Sequence, residues 1–239
     1  MAFPEITQLL GWGPQGWGPA LLTATLTTLL LSVASFCLGS VIGMLAAAGK
    51  LFGGRITAGL ADAYGTVFRG IPDLLTIYLL YYGGSMAITG IGQWFGADGF
   101  IGLPTFATGV IAIGIVSGAY QGEVFRGGYG AINRGELEAA QAFGMSPLLR
   151  LRRIVIPLVL RNALPGLANV WQLVLKDSAL ISVIGLVELM RQTQIAAGST
   201  RQPFVFYLAA AALYLCIASV SGLAVGQFER RLQRGAEKP

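Results

Sequence analysis

Gly135-Glu136-Leu137-Glu138-Ala139-Ala140-Gln141-Ala142-Phe143-Gly144, continued through Met145 to Pro157, is a short polar island in an apolar chain. Its residues predict a helix over about residues 136–144. Glu136 and Glu138 stand in the first turn, where carboxylates suit the positive end of a helix dipole. Ala139, Ala140 and Ala142 are strong helix formers. Gly144 is placed to cap the C-terminus, and Pro147 discourages continuation beyond it. Leu137, Ala140 and Gly144 share one face. That face is small enough for another protein to approach its backbone, with the ring of Phe143 beside it.

Around this island the chain is greasy. Of its 239 residues 54% are hydrophobic and only 11% charged, and the mean hydropathy is +0.68. Soluble domains carry about 25% charged residues, so the composition implies an all-α integral membrane protein. A chain of this length holds roughly five to seven spans of ~20 residues with their loops. The net charge of +5 is no argument for nucleic acid, because the position of the basic residues is what matters in a membrane chain. There are no histidines and two cysteines. Histidine-dependent triads and zinc chemistry are excluded, and neither a disulfide framework nor a metal centre is expected. Cys37 and Cys216 read as small apolar packing residues.

Five apolar runs predict transmembrane helices at about 21–48, 56–84, 105–125, 164–187 and 203–228, forming one transmembrane domain over 1–239. The first twenty residues hold no Lys or Arg, unlike the basic start of a signal peptide. Gly11-Trp12-Gly13-Pro14-Gln15-Gly16 matches a dinucleotide fingerprint in letters only: no strand precedes it, and Pro14 disrupts the turn. Trp12 and Trp17 suit a membrane interface. Gly39-x-x-x-Gly43 and the stripe Gly109, Gly114, Gly118 and Gly122 predict close helix contacts. Pro72 breaks or kinks the second run. A polar loop, with Asp98, is expected from about 85 to 104. Pro157 and Pro165 predict a segment lying along the membrane before the fourth span, and 188–202 reads as a gate helix or a loop.

Twelve of the 16 Lys and Arg fall at 50–55, 126–161 and 230–238, while 1–20 and 84–104 hold none. The positive-inside rule then places the N-terminus outside and the C-terminus inside, which requires an odd number of spans. Arg150, Arg152 and Arg153 form a basic cluster suited to an anionic lipid surface.

Glu138-Ala139-Ala140, Gly144, Ile154 and Pro157 stand at the spacing of the EAA loop of bacterial ABC importer permeases, and the chain resembles that family. Three further patterns resemble its polar amino-acid branch. They are Arg69-Gly70-x-Pro72 with a later Tyr82-Gly83, then Ala119-Tyr120-x-x-Glu123-x-x-Arg126-Gly127, and Lys176-x-Ser178-Ala179-Leu180 with Ile184-Gly185-Leu186. The last is similar to the permease subunits of histidine and lysine/arginine/ornithine importers. The resemblance implies that the helix at 136–144 is a coupling helix, with Glu138, Ala139, Ala140, Phe143 and Gly144 docking on a cytoplasmic ATPase. It also implies a second permease subunit, related or identical, two ATPase subunits that hold ATP and Mg, and a periplasmic binding protein. All would serve a bacterial inner-membrane importer of polar, basic amino acids working by alternating access. This chain itself would be no enzyme and hold no cofactor, its other contacts being membrane lipid rather than nucleic acid.

Candidate pathway residues follow from intramembrane charge, which is costly unless paired or wetted. Glu123, Lys176, Asp177 and Glu188 are the charged candidates, and Trp171 and Gln172 are candidates to line a cavity. Some have an alternative: Glu123 and Arg126, three apart, also suit a pair that pins a helix end, and Arg69 suits an anchor as well as a pathway residue. Lys176 and Asp177 also suit buried structural ion pairs. An ion-gradient-driven carrier or channel and a non-transporting scaffold are the competing functions.

Overall fold

The computed structural model describes residues 3–13, 16–96 and 99–234. Helices follow one another as α1 (Phe3–Leu10), α2 (Gly18–Phe52), α3 (Arg55–Gly70) and α4 (Asp73–Trp94, with a π-helical turn at Leu79–Gly83). Then come α5 (Thr105–Gly130), α6 (Arg134–Ala142), α7 (Pro147–Ile184), α8 (Leu189–Thr200) and α9 (Pro203–Arg234). No strand occurs among the described residues. α2, α4, α7 and α9 each contain a stretch long and apolar enough to cross a membrane. α5 is 26 residues long and glycine-rich, trading bulk for close packing at the centre.

α2 and α5 run parallel. Leu31 meets Gly109, Leu38 meets Gly114, and Gly43 meets Gly122. A Cβ on Gly43 would lie 2.9 Å from the Gly122 nitrogen and 3.0 Å from the Gly118 carbonyl oxygen. The Gly-x-x-x-Gly of α2 and the glycine stripe of α5 therefore form one interface. Polar side chains fix its register: Ser40 Oγ donates to Gln121 Oε1 at 2.6 Å, and Gln121 Nε2 donates to the Phe36 carbonyl at 3.1 Å.

α7 packs antiparallel to α5, with Gly128 against Val159 and Ala163, and Gly166 against Val124. The expected in-plane segment and late start at 164 are corrected here. Pro157 stands just after the π-helical turn Leu151–Val155, and the helix runs on through it to Asp177. Pro165 is carried inside the same helix.

The expected span at 56–84 is corrected too. Ile71 and Pro72 are extended, so α3 ends at Gly70 and a new helix starts at Asp73. That helix continues to Trp94, through half of the stretch expected as loop. α3 instead lies against α5, where the Tyr64 hydroxyl donates to the Ile115 carbonyl. Asp98, Pro14 and Gln15 fall outside the described residues.

Three apolar clusters hold the bundle among the described residues, the smallest being Ala47, Phe125 and Ala163 of α2, α5 and α7. Leu31, Ile77, Ile113, Val174 and Ile181 join α2, α4, α5 and α7. Leu21, Leu189, Ala196, Phe206 and Ala210 join α2, α8 and α9, with Trp17 edge-on to Phe206. The segment 188–202 is thus largely a packed helix. The far side of α2 (Leu22, Leu26, Leu30) and much of α9 (Leu208, Leu215, Leu223) are exposed and apolar, as hydrocarbon contact requires. Cys37 and Cys216 are free and exposed on this apolar surface as well.

Candidate functional site

α6 begins at Arg134 rather than 136 because Asn133 caps it, its side chain accepting from the Gly135 N–H at 2.9 Å. Glu136 therefore lies in the first turn and Glu138 in the second. The C-terminus closes as anticipated. Gly144 N–H donates to the Gln141 carbonyl at 2.9 Å and Met145 N–H to the Ala140 carbonyl at 3.1 Å, with Gly144 at φ +72°. This is the paired bonding of a Schellman end.

The small face is turned inward at Ala140 and open at Gly144. Ala140 is 4% exposed, and Leu137 lines a recess with Tyr129 and Pro147. The expectation that a partner approaches across this face is corrected at Ala140 alone, since Leu137 is half-buried and Gly144 is exposed. Glu138, Ala139, Phe143 and Gly144 are the exposed members, Phe143 at 87%.

Glu123 is the hub of an ionic cluster. Its carboxylate is 2.6 Å from Lys50 Nζ, 2.8 Å from Arg126 Nε and 3.4 Å from Arg69 Nη2. Lys50 also reaches Asp62 at 2.7 Å. The Glu123–Arg126 pair stands as its spacing implied. Arg69 is fastened by the same carboxylate and by the Gly65 carbonyl at 2.9 Å. A carboxylate with three cationic neighbours has little attraction left for a cationic solute, so the geometry favours the bracing role.

A different acidic pair is left without such partners. Asp177 ends the regular helix of α7, where the chain tightens into the 3₁₀ turn Ser178–Ile184. Asp73 opens α4 directly after the Ile71–Pro72 break. The two carboxylates lie within each other's field, and both act on Tyr120 of α5. Each is half-buried, and neither forms an ion pair within the salt-bridge distance or a hydrogen bond among the described residues. Sequence reading passes over Asp73, although its place immediately after the helix-breaking Pro72 is the available signal.

The remaining candidates separate. Lys176 is exposed on α7. Trp171 packs edge-on to Phe36 with centroids 5.6 Å apart, and its Nε1 is buried without a partner. Ser35 Oγ and Thr76 Oγ1 share that condition. Gln172 Nε2 donates to the Ala218 carbonyl at 3.3 Å, bracing α7 on α9.

Glu188 is fully buried and capped by its surroundings. It accepts from the N–H groups of Met190 at 2.9 Å and Arg191 at 2.8 Å, from Tyr214 OH at 3.1 Å, and from Thr28 Oγ1 at 3.4 Å. It caps α8 and ties it to α2 and α9, which corrects its placement among residues open to substrate.

The family model described as "Binding-protein-dependent transport system inner membrane component" matches residues 39–234. The octopine transport system permease protein OccQ of Rhizobium radiobacter is 54% identical, over 98% of this chain and 99% of its own. The histidine/lysine/arginine/ornithine transport system permease protein HisQ of Escherichia coli (strain K12) is 37% identical, over 93% and 97%. A solved structure described as an amino acid ABC transporter with histidines is 32% identical, with a TM-score of 0.75 over 90% of this chain and 95% of that chain. Neither the ion-gradient carrier nor the scaffold is favoured by these matches. The chain belongs to the binding-protein-dependent transport system inner membrane components and is a multi-pass permease subunit of an ABC importer.

Proposed function

We propose that this permease carries basic amino acids and arginine-type derivatives, and that Asp73 and Asp177 recognise their cationic end. The observation that carries the reading is the acidic pair itself. It sits where α4 starts after the Ile71–Pro72 break and α7 tightens into a 3₁₀ turn, and transporters build binding sites from discontinuous helices. Two carboxylates without an ion pair, of which only Asp177 feels a cation in the neighbouring Lys176, attract a cationic solute far more strongly in a medium of low dielectric than in water. The substrates named for the relatives agree in chemistry: lysine, arginine and ornithine carry cationic side chains, histidine an ionisable one, and octopine keeps the guanidinium of arginine. Trp171, Ser35 and Thr76, with buried polar atoms to satisfy, stand on three helices around the same core and suit its polar wall.

Five crossings with the N-terminus outside make up the single transmembrane domain, α5 being the crossing that low hydropathy conceals. Support comes from three helices that share a direction. α2, α5 and α9 each lead into basic residues: Lys50 and Arg55, Arg126 and Arg134, Arg230 and Arg231. This orientation puts α6 in the cytoplasm, where Glu138, Ala139, Phe143 and Gly144 dock on an ATPase. ATP and Mg bind that ATPase, a second permease subunit completes the pathway, and a periplasmic binding protein delivers the substrate.

The test is uptake by proteoliposomes containing the permeases and ATPase, with binding protein and labelled arginine, histidine or glutamate. ATP-dependent uptake of arginine or histidine is expected. Glutamate uptake in preference to both would overturn the substrate assignment.

A further inference from the structure

A lateral groove of about 190 Å³ opens between the ends of α2, α5 and α7. Met44, Ala48, Leu51, Phe125, Ile156 and Leu160 wall it. Through Phe52, Tyr129 and Leu151 it continues into a second recess that ends at Arg150. No acidic residue lines either part, and the first part is lined by apolar and aromatic residues throughout.

The π-helical turn Leu151–Val155 explains the separation of chemistries. It turns Leu151 and Val155 toward the recess and leaves Arg152 and Arg153 exposed outside it. Arg150 thus stands at the end of an apolar trough, with Arg152 and Arg153 exposed on the next turn of the same helix.

We propose that this groove holds one anionic phospholipid, an acyl chain lying along Met44 and Leu160 and the phosphate meeting Arg150. A free phosphate has no use for the trough, and a neutral lipid has no use for the arginines. Arginine pairs with phosphate through a planar fork, and basic clusters at a membrane surface select anionic headgroups. Placing the lipid in the inner leaflet rests on the orientation proposed above. Retention of lipid does not depend on that orientation, which cysteine labelling of loops tests separately.

Native mass spectrometry of the full transporter complex, extracted from vesicles of phosphatidylethanolamine and phosphatidylglycerol, decides the matter. Phosphatidylglycerol is expected to stay with the wild-type complex. Arg150→Gln should lower its occupancy about fivefold, the factor one basic contact supplies at an anionic surface. Ala48→Phe, which fills the trough from an exposed position, should lower it as far. Arg55→Gln, outside the lining, should leave it unchanged. Equal loss in Arg55→Gln and Arg150→Gln would overturn the proposal in favour of a diffuse basic surface. So would undiminished lipid in Ala48→Phe, or loss of the ATPase subunit there in its place, since the groove would then be a protein contact.

Discussion

Lys50 Nζ of α2 lies 2.6 Å from Glu123 Oε1 of α5, and Asp62 of α3 holds the same ammonium at 2.7 Å. One lysine therefore clamps three helices, and Glu123 spreads the clamp to Arg69 and Arg126. Glu123→Gln would leave Arg69 and Arg126 without their carboxylate and Lys50 with Asp62 alone. Breaking a fully buried pair costs about 3–5 kcal/mol. Glu123 keeps 22% exposure and Lys50 10%, so water offsets part of this, and a loss of about 1.5–3 kcal/mol is expected. Thermal unfolding of the solubilised complex should register it, with uptake reduced alike for cationic and neutral substrates. An unchanged melting point with loss confined to cationic substrates would put Glu123 in the pathway after all.

Asp73 and Asp177 should behave in the opposite way. Neither braces another element through an ion pair, so Asp73→Asn and Asp177→Asn are near-isosteric changes with little structural consequence. Each is expected to lower arginine uptake relative to a neutral amino acid about tenfold, equivalent to about 1.4 kcal/mol of lost recognition. Competition between labelled arginine and unlabelled glutamine in proteoliposomes reads the ratio directly. Equal decline for both solutes would make the pair structural.

What the sequence makes legible follows from locality. Glycine spacing and the capping signals of α6 are short-range features, and Gly43, Gly122 and Gly144 occupy the places their patterns imply. Pro72 announces a break, but hydropathy cannot say which side of the break the span lies on, so the stretch at 56–84 is divided wrongly. Ala140 and Glu188 fail for another reason. Both belong to polar or small-residue patterns that suit exposure, yet tertiary contacts bury them. Four donors converge on Glu188 from α2, α8 and α9, and no periodicity within one helix reports such a convergence.

The α2–α5 interface offers a stability prediction. At Gly43 even a methyl group would press on backbone atoms of α5 at 2.9 and 3.0 Å, which no rotamer change relieves. Gly43→Ala is expected to cost about 1–3 kcal/mol by overpacking, and Gly43→Leu to prevent assembly. Gly59, by contrast, has nothing near its Cβ position, so Gly59→Ala should leave melting unchanged or slightly raised through helix propensity. Gly43→Ala melting with the wild type would refute the close approach.

Phe143 and Gly144 allow folding and docking to be separated. Phe143 is 87% exposed, so no packing within this chain holds its ring. Phe143→Ala should shift subunit stability by no more than about 0.5 kcal/mol, as at ordinary surface sites, while ATP-driven uptake falls sharply. Gly144 has open space around its Cβ position, and its only internal demand is φ +72°. Asparagine tolerates that conformation, so Gly144→Asn should fold and cap normally. Gly144→Asp adds a charge at the negative end of α6, where the dipole disfavours it by about 0.3–1 kcal/mol. It too should fold, but with ATP hydrolysis no longer yielding uptake. ATPase and uptake assays on the same vesicles separate these effects. Wild-type uptake by both Phe143→Ala and Gly144→Asp would mean that the ATPase engages some element other than α6.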